Sequence, residues 1–150
     1  MVIPSFDWSH FWINLIKIGA AYVLTLPIGW DRETEAHSAG LRTFPIVAMA
    51  SCGYLLLMPD AANQSRVLQG VITGIGFVGG GAILKEGPTV KGTATAASIW
   101  NTGVIGAAIA VERYEVAVIL SVLNLITLKA LLPFKHRLDN TAPSPGEKEK

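Results

Sequence analysis

Charged side chains that could take part in chemistry are concentrated in two short polar segments of an otherwise apolar chain. They are Asp31, Arg32, Glu33 and Arg42 in the first segment, and Lys85, Glu86 and Lys91 in the second. Hard cations such as Mg²⁺ bind to carboxylate oxygens, so one chemistry open to this set is cation binding at the mouth of a transporter or channel. The other interpretation is two solvated loops whose basic residues only orient the chain in a membrane. If both segments lie on one side, either lysine of the second could pair with Asp31 or Glu33.

No catalytic arrangement is visible elsewhere in the sequence. The histidines are dispersed, and no nucleophile–base pair, metal-ligand spacing or acid pair lies within an apolar segment. The single cysteine, Cys52, excludes an internal disulfide and a cysteine-based zinc cage. Residues 74–79 fit G-x-G-x-x-G, but a dinucleotide site needs a preceding strand and a following acidic residue, and these glycines lie inside one apolar run. The sequence therefore predicts no enzyme, no catalytic residue and no cofactor, and it leaves a metal site undetermined.

The elements that must position these charges are predicted to be transmembrane helices. Of the 150 residues, 51% are hydrophobic and only 15% are charged, with a mean hydropathy of +0.44, whereas soluble domains carry about 25% charged residues. Apolar segments lie at about 11–30, 43–58, 67–84, 93–111 and 116–132, close to the roughly 20 residues that span a bilayer. We therefore expect an all-α bundle of five transmembrane helices over residues 1–134. The polar, proline-containing residues 135–150 are expected to form a disordered cytoplasmic tail.

The distribution of basic residues predicts the orientation of the chain. With the N-terminus outside, eight of the twelve Lys and Arg lie on the inner side and only Arg66 and Arg113 lie outside. The positive-inside rule therefore places the C-terminus in the cytoplasm. The net charge of +1 argues against a nucleic-acid partner.

The third apolar segment carries an unusual number of glycines. They are Gly70, Gly74, Gly76, Gly79, Gly80 and Gly81. At about 100° per residue they form two roughly opposite faces, and small residues let transmembrane helices approach closely. The pattern predicts that the third helix is central and enclosed by others. A stripe of small residues in the fourth segment is expected to pack against it: Ala96, Gly103, Gly106 and Ala107.

Three polar residues are predicted to lie at membrane depth. Lys17 is either functional or reaches the outer surface along its aliphatic stem. Trp100 is expected to pack inside the bundle, and Asn101 to form an interhelical hydrogen bond. None of the five segments contains Asp or Glu, which counts against a proton relay or cation-coupled pump.

Several motifs resemble those of one membrane protein family. Residues 28–33 (Ile-Gly-Trp-Asp-Arg-Glu) precede residues 39–43 (Ala-Gly-Leu-Arg-Thr), and the glycine run at 74–81 follows. The third motif combines residues 90–92 (Val-Lys-Gly) with residues 95–100 (Thr-Ala-Ala-Ser-Ile-Trp). In this order and spacing they resemble the MgtC/SapB family, in a short form without its soluble C-terminal domain. Lys91 stands where the family usually has Arg, which removes the bidentate geometry of a guanidinium.

The resemblance implies a multi-pass protein of the bacterial inner membrane, linked to growth at low magnesium and, in some members, to virulence. Two functions follow as hypotheses. The first is a non-enzymatic regulator that contacts a partner membrane protein, or forms a homo-oligomer, through its glycine and alanine faces in the lipid bilayer. The second is a transporter or channel for a small cation such as magnesium.

Overall fold

The structure, a computed structural model, describes residues 7–34, 39–58 and 60–131. In these residues the chain forms five helices and one two-stranded hairpin. The helices are α1 (Trp8–Thr34), α2 (Thr43–Leu56), α3 (Ala61–Gly81), α4 (Thr93–Ala110) and α5 (Tyr114–Ala130). Strands β1 (Leu84–Glu86) and β2 (Thr89–Lys91) pair antiparallel, with Leu84 opposite Lys91. The all-α prediction is confirmed at this level, while the predicted tail at 135–150 lies outside the described residues.

Helix starts and one tight turn follow from local side-chain chemistry. The carboxylate of Asp60 accepts a hydrogen bond of 2.8 Å from the backbone N–H of Asn63 and so caps α3. Gly92 precedes α4 with φ +86°, a conformation that favours glycine. A Cβ at Gly92 would also overlap the carbonyl of Ala82. The hairpin therefore returns the chain from the end of α3 directly to the start of α4.

The predicted helix boundaries differ from the observed ones at the polar segments. Helix α1 continues to Thr34, so Asp31, Arg32 and Glu33 lie on its last turn rather than in a loop. Helix α3 begins six residues before the predicted segment and ends at Gly81. The second polar segment is a β-hairpin with its turn at Gly87, where φ is +60°. Charged residues continue a helix readily when neighbouring charges neutralise them. Counting apolar residues alone therefore ends the predicted helix too early.

Helix α4, rather than α3, is the centre of the bundle. It packs against each of the other four helices, and eleven of its residues are buried. Its crossing with α2 is the closest, since a Cβ at Gly106 would overlap the carbonyl of Ala48. The prediction of a central third helix is wrong, because the small-residue surface of α4 is the one that the bundle encloses.

Helix α3 lies at the edge, mainly against α4 and α2. Of its residues whose burial the structure describes, only Ile75 and Gly79 are buried. A Cβ at Gly79 would lie 3.1 Å from the carbonyl oxygen of Ala96, so the predicted contact between glycine and alanine faces is confirmed at this one place. The other five glycines have no such neighbour within 4 Å: Gly70, Gly74, Gly76, Gly80 and Gly81. The prediction that other helices enclose both glycine faces is therefore wrong, except at Gly79.

Large apolar side chains cover the outside of the bundle, whereas several polar ones lie inside it. Exposed examples occur on all five helices: Ile16, Ile46, Phe77, Trp100 and Ile119. Buried polar side chains include Thr25, Ser51, Thr95, Thr102 and Ser121. By length and composition, α1 alone among the described helices passes as a membrane span, and α2 is a shorter apolar helix.

Candidate functional site

A buried ion pair lies at the C-terminal end of α1. The guanidinium of Arg32 donates to Oδ2 of Asp31 through Nη2 at 2.6 Å and through Nε at 3.1 Å. Arg32 is 3% exposed and Asp31 7% exposed. On α5, Nζ of Lys129 lies 4.0 Å from Oδ1 of Asp31. Removal of one partner of a buried ion pair is destabilising, because the charge that remains loses part of its compensation.

Close backbone packing brings the first polar segment back onto the end of α1. A Cβ at Gly29 would lie 3.1 Å from the Cα of Leu41. The carboxylate of Glu33 accepts a hydrogen bond of 3.0 Å from the backbone N–H of Leu41, and a Cβ at Gly40 would overlap that carboxylate. Gly29 and Gly40 therefore allow the returning chain to approach α1 closely enough for Glu33 to bond it.

The remaining charges of the predicted cluster are arranged differently from the sequence prediction. Lys91 pairs with Glu86 across the hairpin, with Nζ and Oε2 2.6 Å apart, and does not pair with Asp31 or Glu33. Lys85 and Arg42 are exposed. The cation nearest to Asp31 from another helix is Lys129 of α5. Sequence analysis had not connected Lys129 with Asp31, although its place in the last turn of α5 was an available signal.

The predicted metal-binding carboxylates do not converge. Each has its own protein partner: Asp31 with Arg32, Glu33 with the N–H of Leu41, and Glu86 with Lys91. Across the described ranges no group of three or more His, Cys, Asp or Glu side chains could hold a metal ion. The set proposed for the mouth of a cation pathway is therefore not assembled in this conformation.

A cavity of about 270 Å³ lies beside the ion pair, at the N-terminus of α4. We call it the α4 N-terminal cavity; its lining includes Arg32 of α1, Lys91 and Gly92 of the hairpin, Thr95 of α4 and Thr127 of α5. Thr95 is completely buried, and within the described structure its hydroxyl has no hydrogen-bond partner. Two cationic side chains and the start of α4 thus line the same cavity.

Lys17 acts at the opposite end of α4. Its ammonium lies 2.9 Å from Oε1 of Glu112 and donates to the carbonyl oxygen of Ala110 at 3.4 Å. Lys17 is 8% exposed, so it does not extend freely to the surface. A cation at the C-terminus of a helix interacts favourably with the helix dipole. The sequence left open whether Lys17 is functional, and the structure gives it a positioning contact with Glu112, which sequence reasoning had not connected to it.

The other two polar residues predicted at membrane depth differ in outcome. Trp100 is 47% exposed on the surface of α4, so the expectation that it packs inside the bundle is wrong. Asn101 donates from Nδ2 to the carbonyl oxygen of Leu120 at 3.4 Å, which confirms the interhelical hydrogen bond. A second α4–α5 contact joins Ser98 Oγ to Asn124 Oδ1 at 2.9 Å.

Two of the outward glycines of α3, Gly70 and Gly74, line an apolar groove. This groove between α2 and α3 has a volume of about 450 Å³ and is lined by Ile46 and Tyr54 on one side and by Gly70, Gly74 and Val78 on the other. Gly103 of α4, by contrast, is buried, and a Cβ there would overlap the end of the Ile75 side chain. Apart from Gly79, the predicted packing residues therefore divide into an inward set on α4 and an outward set on α3.

Comparison with known proteins identifies the family of this chain. Residues 18–137 match the sequence model of the MgtC family. The chain is 32% identical to protein SrpB of Synechococcus elongatus over 84% of its own length and 77% of that protein. It is 31% identical to YhiD of Escherichia coli K12, whose name provisionally makes it a magnesium transporter, over 84% of this chain and 64% of YhiD.

Protein MgtC of Salmonella typhimurium is 30% identical over 91% of this chain and 59% of MgtC. The chain thus spans somewhat less than two thirds of both YhiD and MgtC. No solved structure matches the chain. The family model covers most of the sequence, and it includes the ion pair, the hairpin and the whole of α4. The chain belongs to the MgtC family.

Proposed function

We propose that this chain is a five-span protein of the bacterial inner membrane that contributes to adaptation to low magnesium by contacting a partner membrane protein. The membrane and magnesium-related parts rest on the family and on the names of its relatives. The topology, the partner and the mode of contact are inferred from the exposed surfaces of the helices.

Five spans are supported by the distribution of apolar surface. Every helix carries exposed large apolar side chains, and Phe77 of α3 is 87% exposed. A continuous apolar exterior around a core containing serines and threonines suits lipid, since in water such a surface would favour association. Helix α3 is rich in Gly, and helix α4 is rich in Ala and Thr, residues that membrane helices use for close packing.

The observation that carries the proposed contact is the open glycine face of α3. A lipid-facing helix gains little from glycine, because glycine lacks a side chain to contact the acyl chains. Gly70 and Gly74 nevertheless line the α2–α3 groove with nothing filling the space beside them. A helix from another protein can approach the α3 backbone closely there. The regulator hypothesis therefore has a specific surface.

Transport of a small cation is the second candidate, and it is favoured by the name of the relative YhiD. It requires oxygen ligands along a pathway, and the carboxylates at the end of α1 and in the hairpin are each occupied by a protein group. Flux of Mg²⁺ into proteoliposomes that is abolished by Glu33→Gln and Glu86→Gln together would support transport. The regulator proposal expects no such flux.

Crosslinking in the membrane tests the proposed contact. Gly74→Cys, followed by treatment of cells with a thiol-reactive crosslinker, is expected to capture a second membrane protein. Gly103→Cys is the matched control, because it lies on α4 but faces Ile75 inside the bundle, and it should capture nothing. Adducts containing only this chain at Gly74→Cys would indicate a homo-oligomer and contradict the proposed partner.

A further inference from the structure

We propose that the α4 N-terminal cavity binds a phosphate group. This site is independent of the α2–α3 groove, and neither the regulator nor the transporter hypothesis makes use of it. Three features converge on it: an uncapped helix start, cationic side chains, and a buried hydroxyl that the described structure leaves without a partner.

The start of α4 offers backbone donors. Gly92 stands at the N-cap position in the left-handed conformation and provides no side-chain cap. The first N–H groups of a helix have no intrahelical carbonyl to bond, and together with the helix dipole they attract anions. The 18 residues of α4 make that dipole fully developed.

Thr95 is the independent observation that points to a ligand. Its side chain is 0% exposed, it lines the cavity, and its Oγ1 lacks any hydrogen-bond partner among the described residues. A buried hydroxyl without a partner is unfavourable, so its place beside a cavity indicates a group that is held there. Other buried hydroxyls of the bundle, such as Thr25 and Thr102, bond a carbonyl one turn earlier in their own helix.

The charges around the cavity favour an anion. Arg32 and Lys91 line it, and Lys129 lies close by on α5. Asp31 bonds Arg32, and Glu86 bonds Lys91. Phosphate oxygens accept hydrogen bonds from an ammonium such as that of Lys91 and from the hydroxyl of Thr95.

The phosphate can belong to an anionic lipid headgroup or to a soluble phosphate compound, and two probes distinguish these sources. The full chain in nanodiscs made with phosphatidylglycerol or with phosphatidylcholine is analysed by native mass spectrometry for retained lipid. The detergent-solubilised chain is titrated with inorganic phosphate, and a titration with sodium chloride of equal ionic strength serves as the reference. Retained phosphatidylglycerol identifies the lipid source, and saturable phosphate binding without lipid retention identifies the soluble source.

Thr95→Val tests the assignment in either case. The substitution removes a hydroxyl that bonds nothing, so the chain should fold at least as well as the wild type, while binding of the successful probe falls about tenfold. Lys91→Gln, on the exposed hairpin, should weaken binding several-fold. Thr102→Val is the matched control on the same helix and should leave binding unchanged. Absence of binding of both probes, or equal losses in Thr95→Val and Thr102→Val, would overturn the proposal.

Discussion

Gly106 of α4 lies so close to Ala48 of α2 that a Cβ on the glycine would occupy the position of the alanine carbonyl. The backbones of these two helices are therefore in direct contact, and the contact lies where α4 is buried on all sides. Glycines of α3 have no such neighbour except at Gly79. This contrast separates glycines that build the bundle from glycines that are available to another protein.

Substitution of alanine at glycines of the two kinds should give a graded series of stabilities. Gly106→Ala meets a backbone group that cannot rotate away, so it should lower the free energy of unfolding by about 1–3 kcal/mol or more. Gly103→Ala meets the end of a flexible Ile75 side chain and should be milder. Gly74→Ala meets nothing within 4 Å and should not destabilise. Thermal unfolding in detergent, followed by size-exclusion fluorescence, measures the order, and equal stability of the first and third variants would contradict the packing.

The buried pair of Asp31 and Arg32 should behave as a coupled unit. Asp31→Asn or Arg32→Gln removes the ion pair and leaves the other charge buried, so it should reduce the free energy of unfolding by about 3–5 kcal/mol. The double variant should be destabilised by less than the sum of the two single ones. A double-mutant cycle with detergent unfolding measures this coupling. Lys129→Gln, whose ammonium is largely exposed, should have little effect, and additive single effects would argue against the pair.

Lys17 and Glu112 should differ in how much their removal matters. Lys17→Met removes the buried charge itself. Glu112, which is mostly exposed, loses the ion pair but remains solvated. Glu112→Gln leaves the ammonium buried with a neutral acceptor and the carbonyl of Ala110. We therefore expect Glu112→Gln to destabilise the chain more than Lys17→Met, by about 1 kcal/mol. The reverse order, measured by unfolding in detergent, would mean that Lys17 has a role other than fixing the end of α4.

The N-cap of α3 should respond to pH. Hydrogen bonds from the backbone and side chain of Asn63 hold the pKa of Asp60 below its usual value of 3.8. A folded-state pKa below the unfolded one stabilises the cap above pH 3.8, and this contribution is lost as the pH falls through the lower folded value. The protection factor of the Asn63 amide against hydrogen exchange should therefore fall in that acidic range.

Asp60→Asn provides the control for this prediction. Asparagine also caps helices but has no proton to gain, so the variant should keep its cap and lose the acid dependence. An Asn63 amide whose exchange shows the same acid dependence in both proteins would contradict the role of Asp60.

The sequence predicted the number of helices because five apolar runs separated by polar segments have few other interpretations. It could not identify the central helix, since a small-residue face looks the same whether it packs within the chain or against another protein. It also ended α1 too early, because Asp31 and Arg32 neutralise each other inside the last turn in a way that apolar counting cannot detect. Nothing in the sequence indicated that the hydroxyl of Thr95 lacks a hydrogen-bond partner, because only three-dimensional packing shows which threonines lack one.

Growth at low magnesium tests the central claim that the outward glycine face of α3 contacts a partner. Gly74→Leu fills the α2–α3 groove, and Gly53→Leu places the same side chain at an α2 position with nothing within 4 Å. Both variants should accumulate to the wild-type level in a strain that depends on this chain. Gly74→Leu is expected to abolish growth at low magnesium, and Gly53→Leu to support it. Wild-type growth with Gly74→Leu would show that this face of α3 makes no contact that growth requires.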